Sequence, residues 1–153
     1  MVTTHKISAE LYEDSFKLVA IHSSLNAHSM AYYMNKAANL RLKRALYDLD
    51  VNSFSFPFFE WEDHLNENNW VLICNTVKKI QRNESIGLFF GNDSERTHYL
   101  VQERKEVDYF LKIEADQESH IETIINAIKS IPSVVTAYGV DLNQLKSKRN
   151  LIF

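Results

Sequence analysis

Glu103, Asp108 and Lys112, inside the stretch LVQERKEVDYFLKIEAD at residues 100–116, are side chains that can hold a cation or move a proton. A glutamate at a strand end and an aspartate just past a turn would bring two carboxylates to one end of a sheet. A solvated hairpin with cross-strand charge pairs uses the same residues, and the sequence favours that plainer reading. Six histidines, His5, His22, His28, His64, His98 and His120, raise metal binding. No pair of them has the helical i, i+4 spacing or the short Cys/His spacing of zinc sites, and the single Cys74 forms neither a multi-cysteine site nor an internal disulfide. The sequence therefore implies no metal and no cofactor.

In Glu60-Trp61-Glu62-Asp63-His64, three carboxylates stand beside an imidazole, but neighbours on a strand point to opposite faces and do not converge on one substrate. Ser23 and Ser24, with His28 nearby, are the best small-ligand candidates. Hydroxyl residues before a helix accompany free backbone N–H groups that attract anions, although they also serve simply as helix caps. The absence of a Gly-rich phosphate loop disfavours nucleotide hydrolysis and dinucleotide binding.

Basic residues gather twice, as Arg41, Lys43 and Arg44 and as Lys146, Lys148 and Arg149, on a chain of net charge −3. Such a balance disfavours a dedicated nucleic-acid binder, yet the clusters suit an acidic protein surface or an RNA backbone. The ending Leu151-Ile152-Phe153 is wholly apolar, and folding back onto the core is favoured over docking elsewhere.

These residues need a scaffold, and the 153-residue chain, 45% hydrophobic and 24% charged, has the size and mixture of one globular domain spanning 1–153. Residues 16–22 are apolar on both alternating faces, which predicts a central strand. Ala27, Met30, Ala31, Met34, Ala37 and Ala38 predict a helix ending near Asn39, with Ser23 and Ser24 as caps. Phe54, Phe56 and Phe58 alternate on a strand through Trp61, in which Pro57 demands an edge or a bulge. A polar tip at 63–69 then predicts a hairpin with residues 70–77.

Gly87, Gly91 and Asn92-Asp93-Ser94 mark a turn, residues 97–101 a strand, 102–106 a hairpin turn and 107–114 the returning strand. On that return Val107, Tyr109, Leu111 and Ile113 share one face, and Phe110 interrupts the polar other face. Asp116 and Ser119 are cap candidates for a helix with the stripe Ile121, Ile124, Ile125, Ile128 and Ile131, stopped by Pro132. Residues 134–140 form a last strand beside the one before this helix. The fold expected is α+β: a mostly antiparallel sheet with two helices packed on one face. Its second half is similar to the half-modules of ferredoxin-like and ACT-like domains.

The stretch from Val101 to Tyr109 resembles the signature of the bacterial IPExxxVDY family. Glu103, Val107, Asp108 and Tyr109 agree, and Val101 and Gln102 replace the Ile-Pro pair. The ending at residues 141–153 is similar to that family's C-terminus. The resemblance implies a small cytoplasmic protein and carries over no catalytic residue.

The sequence thus favours a non-enzymatic protein-binding or regulatory module, taking a protein partner or a second copy of itself. It would use the sheet edge near Pro57 and the basic regions. An RNA-associated protein using the clusters at 41–44 and 146–149, with Phe58 or Tyr138 stacking on bases, is the alternative. An enzyme would need a pocket at His22, Ser24 and His28. No apolar run reaches membrane-spanning length, and the lone cysteine fits a cytoplasmic location.

Overall fold

The computed structural model describes residues 16–81, 94–115 and 120–153. Its chain order is β1 (Lys17–Ser23), α1 (Ala27–Ala38), β2 (Lys43–Arg44), β3 (Leu49–Val51), β4 (Phe54–Phe56), β5 (Phe58–Asp63), β6 (Asn68–Cys74), β7 (Thr76–Gln81), β8 (Ser94–Tyr99), β9 (Tyr109–Glu114), α2 (Ile121–Lys129) and β10 (Val134–Val140), followed by short 3-10 segments. Six strands form one sheet in the order β10-β1-β9-β6-β5-β2, every neighbouring pair antiparallel; β3-β4 and β7-β8 are separate two-stranded ribbons. The class is α+β with an antiparallel sheet, as the alternating apolar pattern predicts.

Both helices cover one face. Met30, Ala31 and Met34 of α1 and Ile128 of α2 pack on Val19, Ile21, Leu72 and Leu111, with Ile121, Ile124 and Ile125 partly buried around them. The helical periodicity of those residues therefore reports a real buried stripe. Each helix joins two strands that run the same way without being neighbours: α2 links β9 to β10 across β1, and α1 links β1 to β2 across β9, β6 and β5.

The opposite face is buried as well. Leu18, Ala20, Ile73 and Phe110 meet Phe56, Leu100, Val101, Val107, Leu145 and Leu151, supplied by the β4 ribbon, the 100–107 connector and the C-terminal 3-10 segment. A strand between two apolar layers must be apolar on both sides. Hence β9 is buried from Tyr109 to Ile113, and Phe110 finds its cover here.

Several expectations are corrected. The cap of α1 is Asn26, whose side chain accepts from the Ser29 N–H, and neither Ser23 nor Ser24 has that role. Ser23 instead continues β1. Asn39 does end the helix, in the left-handed conformation that asparagine tolerates.

Pro57 does not sit within an edge strand. It separates β4 from β5, where the chain leaves a ribbon for the main sheet, and β2 covers β5 on the outside. The hairpin of β5 and β6 pairs Trp61 with Trp70 around the polar tip. Residues 97–101 and 107–114 are not a hairpin: β8 pairs with β7, whereas β9 lies between β1 and β6. The last strand lies beside β1, not beside β9, because β1 is inserted between the two ends of the α2 crossover. Gly87, Gly91, Asn92, Asp93, Asp116, Ser119 and His5 lie outside the described residues. No helix among the described residues is long and apolar enough to cross a membrane.

Phe110 has no exposed surface and its ring is surrounded by contributions from several elements. Replacing it by alanine is expected to lower unfolding free energy by about 3–5 kcal/mol. Denaturant titration of the variant against the parent chain measures this.

Candidate functional site

The motif residues that the sequence singles out are positioned by a buried asparagine that it did not. Asn75 follows β6 and has no exposed surface. Its side-chain amide donates to Arg104 O at 2.8 Å and to Val107 O at 2.9 Å, and its Oδ1 accepts from Val101 N–H at 2.9 Å. Its backbone N–H donates to Asp108 O at 2.9 Å, and its carbonyl accepts from Leu100 N–H at 2.8 Å. One side chain of fixed amide geometry thereby satisfies three backbone groups of a connector that has no strand partner between Leu100 and Val107. Residues 102–104 close as a 3-10 turn, while Leu100, Val101 and Val107 enter the core.

Each motif residue then fastens a different segment. Glu103 accepts from Ser147 N–H and Ser147 Oγ–H, both at 2.7 Å, holding the C-terminal 3-10 segment. Val107 fills the core. Asp108 Oδ2 accepts from Ser23 N–H at 2.8 Å, and the Tyr109 hydroxyl donates to Leu25 O at 2.6 Å, fixing the path from β1 into α1. Gln102 begins the 3-10 turn after an extended Val101, and its N–H donates to Ser147 Oγ at 3.4 Å.

Glu103, Asp108 and Lys112 are therefore not one site. Lys112 is 3% exposed, and its ammonium lies 2.8 Å from Glu114 Oε1, 4.9 Å from the Phe16 ring centre and 4.8 Å from that of Phe153. The arrangement pairs the buried charge and caps it with two aromatic faces. It also settles the tail: Leu151 is fully buried and the Phe153 ring meets Phe58 edge-on at 5.6 Å, so the C-terminus folds back.

Ser23 has no free donor for a ligand. Its Oγ donates to Ser133 O at 2.8 Å and accepts from Leu25 N–H at 3.2 Å. Ser24 is exposed, and His28 packs edge-on against Phe59 at 5.3 Å, so the three residues do not converge. His22 bonds the Tyr138 hydroxyl at 3.0 Å. Among the described residues, no group of three or more His, Cys, Asp or Glu side chains is placed to hold a metal. Cys74 is partly buried, and desolvation pushes its thiol up to about 11, which keeps it unreactive near neutrality.

The basic clusters lie on different elements. Lys146, Lys148 and Arg149 belong to the C-terminal 3-10 segment, whose Leu151 packs opposite the helices. Arg41, Lys43 and Arg44 belong to the short edge strand β2 and the residues before it. Arg44 is committed: its guanidinium bonds Asp48, donates to Ala45 O at 3.0 Å and Phe58 O at 3.3 Å, and rests 5.9 Å from the Phe59 ring centre. This clamp holds a turn whose two apolar side chains, Leu46 and Tyr47, are 92% and 82% exposed. Sequence reasoning passed over them because a single Leu-Tyr pair carries no periodic signal.

Compared with protein-family models, curated proteins and solved structures, the chain matches none.

Two predictions follow from the Asn75 hub and its clasps. Asn75→Ala strands Val107 O and Val101 N–H inside the core and leaves Arg104 O with the Val107 N–H alone, so chemical denaturation should show a loss of about 3 kcal/mol. Asn75→Asp should rescue little, because a carboxylate offers no donor to the two carbonyls. Burial pushes the Glu103 and Glu114 carboxyls upward, but hydrogen bonds from Ser147 and from Lys112 outweigh it, and both sit below the ordinary glutamate range. Their stabilisation is complete above the unfolded-state pKa and disappears as pH falls through the lower folded value. Acid titration of stability should show this loss, with a shallower slope in Glu103→Gln.

Proposed function

We propose that this chain is a non-enzymatic protein-binding module of the cytoplasm, and that it docks through the Arg44-clamped turn and the basic β2 edge. The exposure of Leu46 and Tyr47 on a turn fixed by four Arg44 contacts is the observation that carries the reading. A large side chain held out in advance loses little freedom on binding, and tyrosine is a frequent anchor at interfaces. Arg41 and Lys43 are exposed and form no ion pair among the described residues, although Lys43 stands across from Glu60 on β5. The partner that fits is a protein with an apolar pocket rimmed by carboxylates.

The RNA reading has less support. Its stacking candidates are occupied, Phe58 by Phe153 and Tyr138 by His22. Membership of the IPExxxVDY family is part of the proposal. On that view, Glu103, Val107, Asp108 and Tyr109 form a structural signature, because each makes an internal contact. The β9-α2-β10 crossover, with β1 inserted antiparallel between its two strands, supports the likeness to ferredoxin-like and ACT-like half-modules.

Photo-crosslinking from position 47 of the full chain in native cells tests the proposal. The expected product is a protein adduct that survives nuclease treatment. Replacing Leu46 and Tyr47 by serine should weaken retention of that protein by about thirtyfold or more, as for an interface hot spot. It should leave stability within about 0.5 kcal/mol. Retention unchanged by that replacement contradicts the proposal. Nuclease-sensitive retention lost with Arg41, Lys43, Lys146 and Arg149 would favour RNA instead.

A further inference from the structure

The two edges of the main sheet are built differently. At one end β2 is two residues long and charged, and the Asn35 side chain ties up the neighbouring Leu42 backbone, accepting from its N–H at 2.8 Å and donating to its carbonyl at 3.0 Å. Short length, charge and side-chain cover are the usual protections of an edge. At the other end β10, Val134-Val135-Thr136-Ala137-Tyr138-Gly139-Val140, runs seven residues with no charge and no proline. Among the described residues no strand pairs with its outer edge.

Within β10 two positions lack an internal explanation. Val135 is 83% exposed; β1 pairs His22 with Thr136 and Ser23 with Val134, so Val135 is an extra residue at a bulge. Gly139 is exposed, its φ is not positive, and a Cβ built there would meet nothing within 4 Å. Neither its backbone conformation nor its packing against the described residues requires glycine. A glycine within a strand otherwise marks the close approach of another molecule.

We infer that β10 pairs antiparallel with β10 of a second copy of this chain, about a two-fold axis at Ala137, so that Val135 of each copy fills the open space over Gly139 of the other. The register follows from the sequence: with Ala137 opposite its mate, Thr136 meets Tyr138 and Val135 meets Gly139. Ala137 belongs to the helix-side cluster and Gly139, two residues along an uninterrupted stretch, shares its face; the bulge interrupts the alternation so that Val134 also packs into that cluster, and the inferred pairing puts Val135 on the same side of the joined sheet. A knob faces a hole twice, as two-fold symmetry demands. An uncharged edge brings no like charges together, whereas pairing through β2 would oppose Lys43 and Arg44 with their copies.

A seven-residue ladder alone falls short of a standard interface of roughly 1,200–2,000 Å². The α2 helix packs over β10, so the same axis brings two α2 helices side by side with half-buried Ile121, Ile124 and Ile125 available to extend the contact. The resulting twelve-stranded sheet leaves β2 and its Leu46–Tyr47 turn at both far ends. This pairing is therefore independent of the docking surface proposed above.

Sedimentation of the full chain over a concentration series up to about 0.1 mM tests the inference. The expected result is a reversible monomer–dimer equilibrium. Val135→Lys and Gly139→Val, both at exposed positions, should each weaken it by about tenfold or more while amide spectra show an intact fold. The double variant Val135→Gly with Gly139→Val exchanges knob and hole and should restore much of the lost association. A wild-type chain that stays monomeric throughout overturns the inference, as does a dimer indifferent to both single changes. Failure of the double variant to recover association overturns the Val135–Gly139 register.

Discussion

The fully buried amide of Asn75 is the constraint on which the rest of the structure depends. A polar side chain in a core is destabilising unless every donor and acceptor is used. Here both side-chain donors, the side-chain oxygen and both backbone groups bind residues 100–108. The connector can therefore enter the interior without a strand partner. Its fixed position places Asp108 against Ser23, Tyr109 against Leu25 and Glu103 against Ser147, so one asparagine sets the entry to α1 and the seat of the C-terminal segment.

A three-layer arrangement follows. With the connector and the C-terminus on one face and the helices on the other, the central strands are enclosed on both sides. That enclosure explains why Lys112 sits inside with Glu114 and two phenylalanine rings when β9 alone suggests a half-exposed strand. It also leaves little central surface for recognition. The two surfaces proposed for binding lie at the two ends of the sheet, the clamped Leu46–Tyr47 turn beyond β2 and the uncharged edge of β10.

What the sequence makes legible is what neighbours along the chain decide. The apolar run of β1, the spacing of Met30, Ala31 and Met34, the isoleucine stripe of α2 and the Trp61–Trp70 hairpin are each set within a short window, and each forms. What stays hidden is pairing between distant segments. Gln102, Glu103, Lys105 and Glu106 are exposed and polar as in a hairpin turn, but the buried residues around them, Val101 and Val107, belong to a different environment. The only local hint was an asparagine at the end of an apolar strand. The insertion of β1 between β9 and β10 was equally invisible, because a strand-helix-strand pattern fixes direction and not adjacency. Among the candidate site residues, Ser23 and Asp108 are bonded to each other and Glu103 is bonded to Ser147 of the C-terminal segment. Their types read as chemistry because hydroxyls and carboxylates serve structure and ligands alike.

Native-state hydrogen exchange at Leu100 and Val101 tests the central claim most directly. Both amides lie in a segment without ladder partners, yet Leu100 N–H bonds Asn75 O and Val101 N–H bonds Asn75 Oδ1. They are predicted to exchange only through global unfolding, with protection matching that of Leu111 in β9. Exchange at the pace of an open loop, while Leu111 stays protected, would contradict the account.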